Sequence, residues 1–312
     1  MSAKSQDSNR GIAKFISRFP IATVVCIYLF SCIIAGVFAP CVFNFIQDLY
    51  YKYDISVLQK LSSRGLGIVF ERIRLFAVIL SLPLLYKVIK SLKIGDEIFA
   101  QNTTKRKSFL FISHAFLGIL LIVAVYFLYN VNKFFSKESY EISFSFGLIK
   151  CFGFFLRALF IACIEEYIFR NLLVRLLFNK YSRGISVILS ALMFAYLHFR
   201  VQPSVCEISS DATLMDGLIH ASLSIFVVWK YIDFTKFFVL FLLGTLLAQM
   251  VFWRKSLIPA IGFHCGIVFI LFVIRATFID GLSLSATVEI FNSYIVIVLL
   301  ILMNFLYVFR KI

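Results

Sequence analysis

Residues 21–46 read IATVVCIYLFSCIIAGVFAPCVFNFI, 26 positions without one Asp, Glu, Lys, Arg or His. About 20 consecutive apolar residues are enough for a helix to cross the hydrocarbon core of a bilayer. Lys4, Arg10, Lys14 and Arg18 precede the run, as basic residues precede the apolar part of a secretory signal. The run is too long for such a signal, however, and Pro40 stands where a cleavage site would be wanted. The stretch therefore reads as a retained anchor. Working outward, comparable apolar stretches lie at roughly 66–86, 109–131, 148–178, 184–200, 237–253, 257–276 and 289–309. Another, near 217–235, is interrupted by His220, Lys230 and Asp233.

Composition agrees. Of the 312 residues, 61% are apolar and 15% charged, against about half and about a quarter in soluble domains. No soluble core of this size hides so much apolar surface. The expected fold is all-α, a polytopic integral membrane bundle of about eight transmembrane helices. With no internal repeat, low-complexity tract or Gly/Ser linker, residues 1–312 form a single membrane domain, of which 1–20 is a basic cytoplasmic segment. Seven cysteines, an odd number without a CxxC pair, argue against a disulfide framework and a thiolate metal site.

The net charge of +15 would suggest nucleic acid in a soluble protein. Here it follows membrane topology. With the N-terminus inside and 217–235 not crossing, the inner segments collect Lys87, Lys90, Lys93, Lys105, Arg106, Lys107, Arg175, Lys180, Arg183, Arg254, Lys255, Arg310 and Lys311. The outer segments carry Asp48, Asp54, Glu138, Glu141, Glu207, Asp211, Asp216 and Asp280 beside fewer lysines. Nine crossings would move Arg254, Lys255 and the C-terminus outside, against the positive-inside bias. Eight crossings fit better, with both termini cytoplasmic. Arg72 and Arg74 remain unfavourable under either count.

Ionisable residues inside spans cost about 2.5–3.5 kcal/mol each on insertion scales, so they mark function or pairing. Glu165 and Glu166 follow the apolar run ALFIACI at 158–164. On a helix Glu166 and Arg170 are four apart and can pair, whereas Glu165 is rotated about 100° away. One carboxylate is thus neutralised, and the other is left to face a cavity as a general base; in a purely structural alternative both glutamates bind helices together. His198 closes the segment FAYLH at 194–198. Glu165 lies 17 residues before Ser182 and His198 lies 16 after it, so an antiparallel hairpin would bring both to one depth. His264 lies within GFHCG at 262–266, where Gly262 and Gly266 permit close helix contact. His114 reads as an interfacial residue, and His220 as a lesser candidate for lining a site.

EEYIFR at 165–170, FAYLH at 194–198 and His264 after SLIPAIGF resemble the motifs EExxxR, FxxxH and HxxxN/D. These mark the CAAX protease and bacteriocin-processing (CPBP, or Abi) family, whose best-known branch is the Rce1-like type II CAAX prenyl endopeptidases. The resemblance covers about 150–275, the expected catalytic core. It implies an intramembrane endopeptidase acting on a membrane-associated protein or peptide. Glu165 and His198 would activate water, and His264 would stabilise the oxyanion. Glu166, Arg170 and Phe194 would support them. Members are often described as metalloproteases, but the absence of HExxH gives no independent reason to add a metal; were a zinc ion bound, Glu165, His198 and His264 are the ligands it would take. One departure matters: position 268, where the motif has Asn or Asp, is Val. A missing oxyanion donor costs on the order of 10²–10³ in rate, unless His220 or Gln249 substitutes. The interval from His198 to His264 is also long, and 201–236 would gate or remodel the cavity.

Two other classes compete. A catalytically impaired member would act as a bacteriocin-immunity or partner-binding membrane protein, with Val268 as its support. A transporter using Glu165 as a proton relay ranks lowest, because no paired broken helices or half-to-half symmetry are visible. The expected location is a bacterial cytoplasmic membrane.

Overall fold

The computed structural model describes residues 15–54, 65–91, 107–135, 147–199, 211–277 and 294–309, which are helical with no strand among them. The chain is an all-α membrane bundle. In chain order its helices are α1 (Pro20–Tyr53), α2 (Leu66–Ser91), α3 (Lys107–Phe135), α4 (Leu148–Glu166), a π-helical segment (Tyr167–Leu173), α5 (Val174–Phe178), α6 (Arg183–Leu197), α7 (Leu214–Phe226), a 3₁₀ turn (Val228–Tyr231), α8 (Phe234–Arg254), α9 (Ile258–Thr277) and α10 (Tyr294–Phe309). Each expected span coincides with one of these. Segments 1–14, 92–106 and 136–146, and the residues Glu207, Asp280, Arg310 and Lys311 used in the topology argument, lie outside the described residues.

Among the described residues four stretches are long and apolar enough to cross a membrane on their own: Pro20–Tyr53, Lys107–Leu128, Phe234–Arg254 and Ile258–Ala276. Helices α6, α7 and α10 are apolar but shorter, and α2 and α4 carry charges within their length. The stretch near 217–235 resolves into α7, of 13 residues, and the 3₁₀ turn. At 1.5 Å per residue α7 is about 20 Å long, short of the roughly 30 Å hydrocarbon core. Large apolar side chains such as Phe30, Phe45, Phe116, Phe152, Phe160 and Phe305 are exposed, as a surface solvated by lipid tails requires.

Packing divides the chain into two compact units, Met1–Leu92 with Leu197–Asp233, and Lys93–Tyr196 with Phe234–Ile312. In the first, α7 lies against α1 through a glycine contact. A Cβ on Gly217 would run into the Gly36 carbonyl and, at 2.7 Å, the Pro40 ring. Asn44 holds the entry to α7 by donating to the Ala212 carbonyl (2.9 Å) and accepting from its N–H (2.8 Å). Thr213 and Asp216 close a capping box, and the Thr213 donors hold the Asp216 carboxyl below its ordinary range. Arg74 also finds its compensation here: Nη2 donates to Glu71 (2.6 Å) and Nη1 to the Tyr28 hydroxyl (3.2 Å).

The second unit is built on α8, whose Leu243, Leu246, Leu247, Met250 and Val251 share one core with Ile122 and Val125 of α3, Phe263 and Ile267 of α9, and Leu300 of α10. Helices α3 and α9 approach backbone to backbone at the glycines of α9. A Cβ on Gly262 would meet the Phe111 carbonyl at 2.5 Å, and one on Gly266 would run into that of Ala115. The glycine pair therefore has the packing role its spacing suggests. Asn304 of α10 accepts from the Thr245 hydroxyl (2.8 Å) and donates to the Leu242 carbonyl (3.1 Å), a polar tie between apolar helices.

Candidate active site

The last residue of α4 is Glu166, and the backbone widens into the π-helical segment directly after it. A continuous helix is the expectation for 148–178, and sequence periodicity gives no sign of this change. Such segments occur mostly as single turns at functional sites. Across it Arg170 Nη1 donates to Glu166 Oε1 at 3.1 Å, with both side chains wholly buried. The pairing expected from the four-residue spacing is present. Arg170 Nη2 donates to the Gly244 carbonyl of α8 at 3.3 Å. A backbone acceptor on a distant helix has no signature in the sequence.

His264, on α9, also reaches this pair. Its Nδ1 lies 2.9 Å from Glu166 Oε1 and its Nε2 3.8 Å from Glu165 Oε2. A carboxylate held by a guanidinium can only accept, so Nδ1 carries the proton and Nε2 faces Glu165. Residue counting puts His264 shallower than Glu165; the packing of α9 brings it to both glutamates. Glu165 keeps 27% of its side chain exposed while Glu166 keeps none. One carboxylate therefore orients and the other is accessible.

A carboxyl and an imidazole are thus set side by side, the imidazole fixed in orientation by the buried Glu166–Arg170 pair.

Phe194 of α6 completes the group. Arg170 Cζ lies 4.4 Å from its ring centroid, and the His264 ring lies 6.1 Å away in an edge-on arrangement. The Ser190 hydroxyl donates to the Phe169 carbonyl at 3.3 Å, which sets these residues level across the hairpin. Counted from there, the residue level with Glu165 is Phe194. His198 follows the end of α6 and packs with the first unit. The second unit therefore joins Glu165, Glu166, Arg170, Phe194 and His264.

The remaining candidates have other surroundings. His114, expected at the interface, is buried and its Nδ1 bonds the Leu110 carbonyl at 2.8 Å. His220 belongs to the first unit, buried with its ring 4.6 Å from that of Phe70. Gln249 lies one turn beyond Thr245, on the face of α8 that ties to Asn304. Val268 packs against the apolar seam of Ala158, Ala162 and Cys265 between α4 and α9. Among the described residues no three His, Cys, Asp or Glu side chains are grouped to hold a metal ion, so no step below runs through one.

Residues 146–270 match the model of a protein family, the Rce1-like type II CAAX prenyl endopeptidases. No curated protein and no solved structure matches the chain.

Proposed function

Taking as premise a membrane protein whose residues 146–270 match the Rce1-like endopeptidase family, we propose that it is an intramembrane endopeptidase of CAAX-protease type. Its substrate would be a membrane-associated protein or peptide. The observation that carries the reading is the Glu165–His264 couple at 3.8 Å, with His264 oriented by Glu166 at 2.9 Å.

In this reading Glu165 takes a proton from water as the water oxygen attacks the peptide carbonyl carbon. The carbonyl oxygen becomes an oxyanion, and His264 in its imidazolium form, protonated at both ring nitrogens, donates its Nε2–H to it. Collapse of the tetrahedral intermediate breaks the C–N bond, and Glu165 returns its proton to the leaving amine. Proton transfer by a positioned side chain contributes about 10²–10⁴-fold, and an oxyanion donor about 10²–10³-fold. His198 is proposed as the second residue that holds the water. Side chains alone carry this chemistry, so activity is expected to survive metal chelation. The proposed setting is a bacterial cytoplasmic membrane with both termini inside, and no nucleic-acid partner is proposed.

The test uses purified protein in detergent micelles and a fluorogenic peptide ending in a farnesylated CAAX sequence. The Glu165→Gln, His198→Ala and His264→Ala proteins should remain folded and lose cleavage. Undiminished cleavage by Glu165→Gln would overturn the mechanism. A second reading, a non-catalytic member that binds a partner or confers immunity, is favoured by one observation: Val268 sits in an apolar seam, with no side-chain donor of its own. On that reading the wild-type protein cleaves nothing, Glu165→Gln retains the biological effect, and Val268→Asn changes nothing. On the enzymatic reading Val268→Asn leaves activity intact or raises it.

A further inference from the structure

Arg170 has no exposed surface, so its charge is offset by protein groups alone. Two of its nitrogens are bonded, Nη1 to Glu166 and Nη2 to the Gly244 carbonyl. Nε has no partner among the described residues. The Phe194 ring, 4.4 Å from Cζ, is well inside the distance at which an aromatic quadrupole attracts a guanidinium. Phe169 lies further off, at 5.7 Å, and supports Phe194 edge-on at 5.1 Å. The ring has little room to slip: a Cβ on Gly244 would meet Phe194 Cδ1 at 3.2 Å and Ala191 Cα at 3.1 Å. The same glycine thus supplies a carbonyl to Arg170 and bare backbone to Phe194.

We propose that Phe194 is a positioning residue. Through cation–π attraction its ring holds the Arg170 guanidinium against Glu166, so that Glu166 keeps its hold on the Nδ1–H of His264 and Nε2 stays turned toward Glu165. The inference rests on the peptidase reading for its consequence in catalysis, and on geometry alone for its effect on His264. A side chain that only fills space at 194 acts through volume. One that holds a cation acts through the electron density of its ring. The two roles separate when the density changes at nearly constant shape.

The test places 4-fluoro-, 3,5-difluoro- and 3,4,5-trifluorophenylalanine at position 194 of the full chain. Cleavage of the farnesylated fluorogenic peptide is then followed in micelles. With each added fluorine kcat should fall, by roughly tenfold over the series, while KM stays within about twofold. A flat series overturns the proposal. A second readout needs no turnover: the ¹⁵N shifts of the His264 ring in the same micelles. At a pH where the ring is neutral, the wild-type protein should carry its proton on Nδ1 and the trifluoro protein should show mixed tautomers. An unchanged ring in that protein also overturns the proposal. Phe194→Leu should repeat both losses, and Phe194→Trp should recover the tautomer. If the wild-type protein cleaves no peptide, the peptidase reading fails while the nitrogen shifts still decide the role of Phe194.

Discussion

Arg170 is the largest of the wholly buried side chains, and it carries a charge. Such a group is tolerated because Glu166, the Gly244 carbonyl and the Phe194 ring face it together. Removing one partner of a buried pair typically costs about 3–5 kcal/mol, because the other charge is left uncompensated. Arg170→Leu should therefore lower the unfolding temperature in detergent sharply. The double variant Glu166→Gln/Arg170→Leu should unfold nearer to wild type, since neither charge remains. Equal stability of Arg170→Leu and wild type would contradict this account of the pair. At the same scale Val268 matters for what it lacks: it contributes packing to an apolar seam, so in the proposed mechanism any oxyanion donor besides His264 would have to come from another position.

At the scale of the element, α3 and α9 define how the site is held. His264 lies between Gly262 and Gly266, and both glycines press on α3 backbone carbonyls. The helix that carries the imidazole is thus located by direct backbone contact at these glycines as well as by the side chains it shares with α3 in the core. Gly266→Ala would force a methyl into the Ala115 carbonyl. Overpacking of this kind typically costs about 1–3 kcal/mol. The expected outcome is a lower unfolding temperature together with reduced cleavage, because displacing α9 carries His264 away from Glu165 and Glu166. Asn304→Leu, which removes the ties to Thr245 and to the Leu242 carbonyl, should lower stability by about 0.6 kcal/mol for each, the average for such bonds in membranes, and leave cleavage intact. The π-helical segment belongs at this scale too, since it follows Glu166 directly and helps set the register in which α6 meets α4.

For the whole molecule the open quantity is topology. Eight crossings put Lys4, Arg254, Lys255, Arg310 and Lys311 on one side, and a crossing at α7 would separate the first from the others, against the positive-inside bias. Reporter fusions after residues 92, 180, 255 and 312 should all score cytoplasmic, and fusions after 138 and 207 should score external. A fusion after 255 that scores external would mean that the α7 region crosses. The count has a chemical consequence, because it fixes the side of the membrane from which α9, and with it His264, enters the bilayer.

The sequence by itself determined the solvent, the secondary structure and the cast of ionisable residues. Twenty-six uncharged positions at 21–46 admit little besides a helix in lipid, because the bilayer supplies no other partner for backbone N–H and C=O groups. The Glu166–Arg170 pair was legible because both partners lie on one helix, four residues apart. Arg74 was legible in principle for the same reason, with Glu71 three residues before it. Only the tertiary structure decided the rest. Glu166 holds His264 across 98 residues, Gly244 receives Arg170 through a carbonyl that every residue possesses, and Phe194 is level with Glu165 because of where a turn and a widened helix fall. Such contacts depend on how helices cross and where they tilt. Those angles are set by the joint packing of many side chains, and no single segment of the sequence encodes them.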